Sequence, residues 1–272
     1  IETLREQVKR GKFRPEGYEL VFSAANHLDA AQFVLNEEER MHLRGRIDRM
    51  DTYTTNEKVY VKIIDYKTGN TSFQLLNLYH GLQLQLVVYL NAALEVTAKK
   101  YPQKTAVPAG IFYYHVDDPY AEGRAEMSEE EIGEEILQRL KLDGIVNSEE
   151  DVWRAMDTEM ESESHVIPVK LKKDGTISAT SKTLSETAFS NVGAFATEKI
   201  KELGNGMLGG NIAAEPYLLD SKSGCDYCAY RSICGFDAKI PGYHYHELEK
   251  NLKDNDILKK ISEDLTNKGG GE

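Results

Sequence analysis

Two acids and a lysine at strand spacing are the residues of this chain whose types could do chemistry. They lie in Gly45-Arg46-Ile47-Asp48-Arg49 and in Asp65-Tyr66-Lys67-Thr68-Gly69. Val59, Val61, Ile63 and Asp65 alternate with Lys58, Tyr60, Lys62 and Ile64, the period of a strand with one face buried. Asp65 and Lys67 therefore point the same way. The run His42 to Thr55 is expected to pair antiparallel with it through a two-residue turn at Asn56-Glu57, where Asn56 tolerates the positive φ of such turns. That register sets Asp48 opposite Asp65 and Arg46 opposite Lys67. Facing carboxylates repel, and a divalent cation is the natural counter-charge. Oxygen ligands select Mg²⁺ or Mn²⁺ over zinc. Such an ion polarises a phosphoryl oxygen and lowers the pKa of bound water, while Lys67 orients the nucleophile or offsets charge on phosphorus. The expected chemistry is metal-dependent phosphodiester hydrolysis.

Downstream, Gln85 and Tyr89 are four residues apart in a stretch of helical period, so they share one helix face. Asp48, Asp65-Tyr66-Lys67 and Gln85-x-x-x-Tyr89 together resemble the PD-(D/E)xK nucleases, in particular their RecB-like branch. Gly45-Arg46-Ile47-Asp48-Arg49 and Gly81-Leu82-Gln83-Leu84-Gln85-Leu86 are most similar to the AddB-type nuclease domains of ATP-dependent helicase/nucleases. The resemblance runs from about Glu19 to Asp237. It implies a restriction-endonuclease-like α/β core, a mixed sheet flanked by helices, and a DNA-cleaving enzyme, with exonuclease action expected. Asp48, Asp65 and the Tyr66 carbonyl would bind the metal, Lys67 would assist the water, and Gln85 and Tyr89 would support the site or touch DNA. Glu19 and Arg46 are further candidates, Glu19 because an upstream acid sometimes joins the metal shell in related nucleases. The implied partners are a single-stranded end or unwound strand of DNA and a helicase subunit of the AddA type, in DNA repair and recombination.

The elements that must position these residues follow from pattern. Residues 1–12 read as the end of a helix and Tyr18 to Ser23 as a strand. Apolar residues recur at three and four from Leu75, predicting an amphipathic helix over 75–98. Pro108 to Val116 is β-branched and aromatic, the next central strand, so the helix makes a crossover. Glutamates crowd one side of a helix near 129–140, a solvated face. Helices at about 149–159 and 183–203, the latter stopped by Asn205-Gly206, and a hairpin over 166–177 turning at Asp174-Gly175 follow. A charged helix is expected over about 247–265. His42 and His115 are expected in structural roles. The expected organisation is a nuclease core over 1–120, inserted helices and hairpin over 121–180, a closing helix and cysteine segment over 181–242, and a helical tail over 243–272.

All three cysteines, Cys225, Cys228 and Cys234, fall within ten residues. Clustered Cys-x₂-Cys spacing points to metal rather than disulfides in a cytosolic protein, but three thiolates are one short of the usual four. The resemblance implies a [4Fe–4S] cluster completed by an earlier cysteine that this sequence lacks. Tyr227, Tyr230 and Arg231 are further candidates for a DNA path.

With 272 residues, 40% of them hydrophobic, the chain can bury one sizeable core. Its net charge of −12 is not the footprint of a generic DNA-coating protein. No run of 18 apolar residues predicts a membrane span, and the chain, which begins at Ile1, reads as a piece of a longer cytoplasmic protein. Two other readings share the motifs: a stand-alone phage or CRISPR-associated exonuclease, and a non-catalytic DNA-binding scaffold.

Overall fold

The hairpin at the centre of the fold is built as its turn dictates. The computed structural model describes residues 2–22, 28, 31–117, 119–120 and 127–269. Helix α1 (Glu2–Arg10) leads into strands β1 (Arg14–Phe22), β2 (Gln32–Val34), β3 (Arg40–His42), β4 (Gly45–Thr54) and β5 (Lys58–Lys67). Then come helices α2 (Leu75–Tyr79) and α3 (Gln85–Lys100), strand β6 (Thr105–His115), helix α4 (Glu129–Arg139), strand β7 (Asp143–Asn147) and helix α5 (Glu150–Met156). Strand β8 (Thr183–Leu184), helix α6 (Glu186–Leu208), strands β9 (Tyr217–Leu219) and β10 (Lys222–Ser223), helix α7 (Arg231–Cys234), strand β11 (His246–Glu247) and helix α8 (Asp254–Gly269) follow.

Among the described residues the main sheet has six strands in the order β1-β4-β5-β6-β7-β8. β4 pairs antiparallel with β5 from Arg49 opposite Ile64 to Thr54 opposite Val59, the register expected from a turn at Asn56-Glu57. Thr55 N–H closes that turn on the Lys58 carbonyl at 2.8 Å. Asn56 does not use the left-handed region: among the described residues the non-glycine ones with positive φ are Glu19, Asp220 and Asn251. β6 lies parallel to β5, as the crossover through α2 and α3 requires.

Both faces of this sheet are covered, not one. Val61, Ile63, Ile111 and Tyr113 pack in one core with Leu86, Leu90, Phe195 and Ile257. Tyr60, Ile64 and Phe112 pack in a second with Phe13, Trp153 and Ile167. Residues Lys58 to Ile64, expected to alternate between core and water, are therefore nearly all buried. A strand with neighbours on both edges and helices or loops on both faces has no solvent side.

Other elements depart from expectation for local reasons. The helix expected over 75–98 is broken into α2 and α3 because Gly81, at φ +78°, takes a left-handed conformation that ends α2. The Gln83 side chain then bridges the break, accepting from Gln74 N–H at 3.0 Å and donating to the Ser72 carbonyl at 2.9 Å. α6 continues through Asn205 and Gly206 to Leu208, and the last helix starts at Asp254 rather than near 247. The run expected from His42 to Thr55 is split: His42 ends β3, which pairs with β2. β7, not anticipated, joins the main sheet beside β6. Between 166 and 177 the turn at Asp174-Gly175 forms, closed by an isolated bridge between Leu171 and Ile177. The expected strand end at Ser23 and residues 270–272 lie outside the described residues.

Candidate active site

β4 and β5 bring Asp48, Asp65, Tyr66 and Lys67 to one end of the hairpin. Past the last ladder pair, the Tyr66 N–H donates to Asp48 Oδ2 at 2.9 Å, which fixes that carboxylate against β5. Asp65 is buried, at 3% exposure. Lys67 Nζ lies 2.5 Å from Asp65 Oδ2, an ion-pair contact with this buried oxygen. Burial pushes the Asp65 carboxyl above its ordinary value and Asp48 adds to the rise, while Lys67 pulls the other way. Perturbed carboxyls of this kind cluster at functional sites.

A relay of polar groups holds the amine. Lys67 Nζ donates to Gln85 Oε1 at 3.2 Å, and Gln85 Nε2 donates to the Tyr89 hydroxyl at 2.8 Å. The one-turn spacing on α3 places both at the mouth of the site, where α3 starts. The Tyr113 ring stands 5.4 Å from the ammonium. Burial and the charge of Asp65 push the Tyr113 hydroxyl up to about 12, so it stays protonated beside the site. Next to it on β7, Asp143 accepts from Phe73 N–H at 3.1 Å and from Lys182 at 2.6 Å, tying down the link that leaves β5. His115 Nδ1 donates to the Gly69 carbonyl at 2.7 Å and anchors the same link.

Gly45 is fixed by packing. A Cβ there would lie 2.3 Å from the Phe22 ring and 3.0 Å from that of Tyr89, and those two rings meet edge to face at 5.7 Å. Phe22 is 3% exposed and has no room to retreat. Gly45→Ala is expected to cost about 1–3 kcal/mol by overpacking and to shift Tyr89, visible as a lowered Tm and a changed tyrosine environment in near-ultraviolet circular dichroism.

Not every expected site residue joins this centre. Arg46 does not face Lys67; it turns to β1, where its guanidinium lies 2.7 Å from the Glu19 carboxylate. Among the described residues no three His, Cys, Asp or Glu side chains gather to hold a metal, so Glu19 does not complete a triad with Asp48 and Asp65. Two carboxylates and a backbone carbonyl still suit a hard cation that keeps water ligands, and the Asp65 carboxylate, buried and with Asp48 near it, is the kind of donor such an ion takes. Cys225 is half-buried and Cys228 and Cys234 are exposed, beside the small sheet of β9, β10 and β11, with all three thiols free. Three thiols do not by themselves fit a four-thiolate cluster. Tyr227 is fully exposed and Tyr230 largely so.

A buried charge cluster escaped the sequence reading. On the sheet face opposite Asp65, Arg49 grips Asp51 through two bonds of 2.6 and 2.8 Å, and Lys62 Nζ lies 3.0 Å from the same carboxylate. All three are buried. The signal was available: the turn that aligns Asp48 with Asp65 also sets Asp51 opposite Lys62.

A mixed sheet with paired acids and a lysine at one hairpin end defines a class of proteins, and comparison with known families agrees. The model of the PD-(D/E)XK nuclease superfamily matches residues 1–235, and the chain belongs to that superfamily. Its relatives are more particular. It is 38% identical over 265 residues, 97% of the chain, to the B-type subunit of the ATP-dependent helicase/deoxyribonuclease of Alkaliphilus oremlandii. It is 39% identical over 246 residues, 90% of the chain, to the protein of the same description from Caldanaerobacter subterraneus. The Listeria innocua protein so described is 35% identical over 260 residues, 95% of the chain. The chain spans 23%, 21% and 22% of the length of these three relatives. Among the described residues no helix is long and apolar enough to cross a membrane.

Proposed function

We propose that this chain is the nuclease domain of a cytoplasmic helicase/nuclease of DNA repair and recombination, hydrolysing phosphodiester bonds in unwound single strands with Mg²⁺ or Mn²⁺. The observation that carries this reading is the buried Asp65 carboxylate, held beside Asp48 and against the Lys67 amine. Asp48, Asp65 and the Tyr66 carbonyl are the groups that would hold the cation. When bound, the ion supplies Lewis acidity toward a phosphoryl oxygen. Lys67 does the rest of the electrostatic work: its ammonium stabilises negative charge building on phosphorus and orients the attacking water. Hydrolysis then leaves one phosphomonoester and one sugar hydroxyl. Gln85 aims Lys67, and Tyr89 aims Gln85. The relatives' description as one kind of subunit of a helicase/deoxyribonuclease supports a helicase subunit of the AddA type as the partner that delivers the strand.

The test uses an end-labelled single-stranded oligonucleotide and a Mg²⁺ titration by calorimetry. Wild type is expected to bind the ion and cut. Asp48→Ala and Asp65→Ala are each expected to lose ion binding and about 10²–10³ of the cleavage rate. Asp65→Ala should melt no lower than wild type, since it removes a carboxylate that the fold disfavours in its charged form. Undiminished cleavage in both variants refutes the assignment.

A further inference from the structure

Arg46 and Glu19 stand beside the Asp48–Lys67 centre and form a pair of their own. Both side chains are more than half exposed, Arg46 at 59% and Glu19 at 65%. Glu19 has φ +51° in the middle of β1, a conformation that non-glycine residues avoid within strands. The flanking pairs, Tyr18 with Arg49 and Leu20 with Ile47, keep one register, separate from the irregularity between Pro15 and Gly17, so the ladder closes around Glu19 at the position next to Asp48. An exposed ion pair stabilises a fold little, too little to offset such a backbone. Stability therefore does not account for the pair. Arg46 sits two residues from Asp48 on the same strand face, with its planar fork open to solvent, and that fork matches phosphate geometry. On a chain of net charge −12, a bound strand depends on local cations of this kind.

We propose that Arg46 is a phosphate clamp for the DNA strand, gripping a phosphate neighbouring the reacting one, and that Glu19 is its built-in competitor. The inference rests on the nuclease reading above. Strand binding exchanges one partner of the guanidinium for another, so backbone affinity is held down and a cleaved strand is free to advance. Glu19 presents its carboxylate to Arg46 from that bent backbone.

The experiment measures binding of a fluorescein-labelled oligothymidylate to the whole chain by anisotropy, in EDTA, across a KCl series. Arg46→Ala is expected to bind about tenfold more weakly and to lower the slope of log affinity against log salt by about 0.7. Glu19→Gln is expected to bind about two- to fivefold more tightly. On an Arg46→Ala background, Glu19→Gln should change nothing. That last arm separates the clamp from mere removal of a negative charge, which would tighten binding in both backgrounds. Arg46→Lys should recover only part of the affinity, because a point charge lacks the fork. A Glu19→Gln variant no tighter than wild type, a gain that persists without Arg46, or full recovery by lysine overturns the proposal. Both positions are exposed, and melting curves verify that each variant is folded. Binding is read without cleavage, so failure of the clamp and failure of the nuclease assignment are separate results.

Discussion

Lys67→Ala should lose about 10²–10³ of the cleavage rate at saturating Mg²⁺ while binding the ion and melting close to wild type. The amine is placed by three contacts: the Asp65 carboxylate, the Gln85 amide and the Tyr113 ring. None of these neighbours needs Lys67 to fold, since Gln85 keeps its bond to Tyr89 and Tyr113 stays in the core. On the proposed mechanism, what disappears is a positive charge aimed where negative charge develops. Asp65 should respond in a defined direction. Lys67 opposes the upward push of burial, so its removal raises the carboxyl further, and ion binding in the variant should demand a higher pH. Lys67→Arg is not a conservative control, because a fork cannot occupy the place of a compact ammonium between Asp65 and Gln85. The measurement is a single-turnover rate across pH with calorimetry in parallel. A variant that cuts within about threefold of wild type, against the two orders expected for such a group, removes Lys67 from the mechanism.

Asp51→Ala should be the most damaging substitution for stability, costing about 3–5 kcal/mol, because it strands two cations in the core. Burial acts to raise Asp51, yet Lys62 and Arg49 outweigh it and hold the carboxyl below its ordinary 3.8. A carboxyl lowered in the fold contributes stability above its unfolded value and loses it as pH falls through the folded one. Acid unfolding of wild type should therefore steepen below pH 3.8. Burial lowers Lys62 in turn, so its charge is held at a cost that Asp51 offsets. Lys62→Met should accordingly be mild, within about 1 kcal/mol, since the two-bond Arg49–Asp51 pair survives and a buried ammonium is gone. Denaturant melts of the two variants decide the matter. Equal losses would mean that the cluster acts as plain packing rather than as a balanced set of charges.

The hairpin was legible because a two-residue turn fixes register, and register fixes which acids meet. The crossover helix, the parallel β6 and the Gln85–Tyr89 face followed from period alone. What stayed hidden depends on partners remote in sequence. Lys62 reads as solvent-facing in an alternating strand, and only the second core, assembled from Phe13 and residues beyond 140, reveals it as buried. β7 is a five-residue strand behind an acidic helix, too short to show a period. Asn205-Gly206 looks like a stop, but the chain there carries no left-handed residue and α6 runs on. Arg46 falls opposite Lys67 only if the ladder is extended past the residue where it ends, and the neighbouring edge strand claims it instead.

β5 has a paired strand along each edge and covered side chains on each face. Over residues 59–64 its amide hydrogens can therefore trade with solvent only when the sheet opens. Asp65 and Lys67 close that strand, where β6 alone still pairs with it, so they inherit the rigidity of the ladder that precedes them. Competence and foldedness should vanish together on heating, with no warm interval in which the chain remains intact but inert.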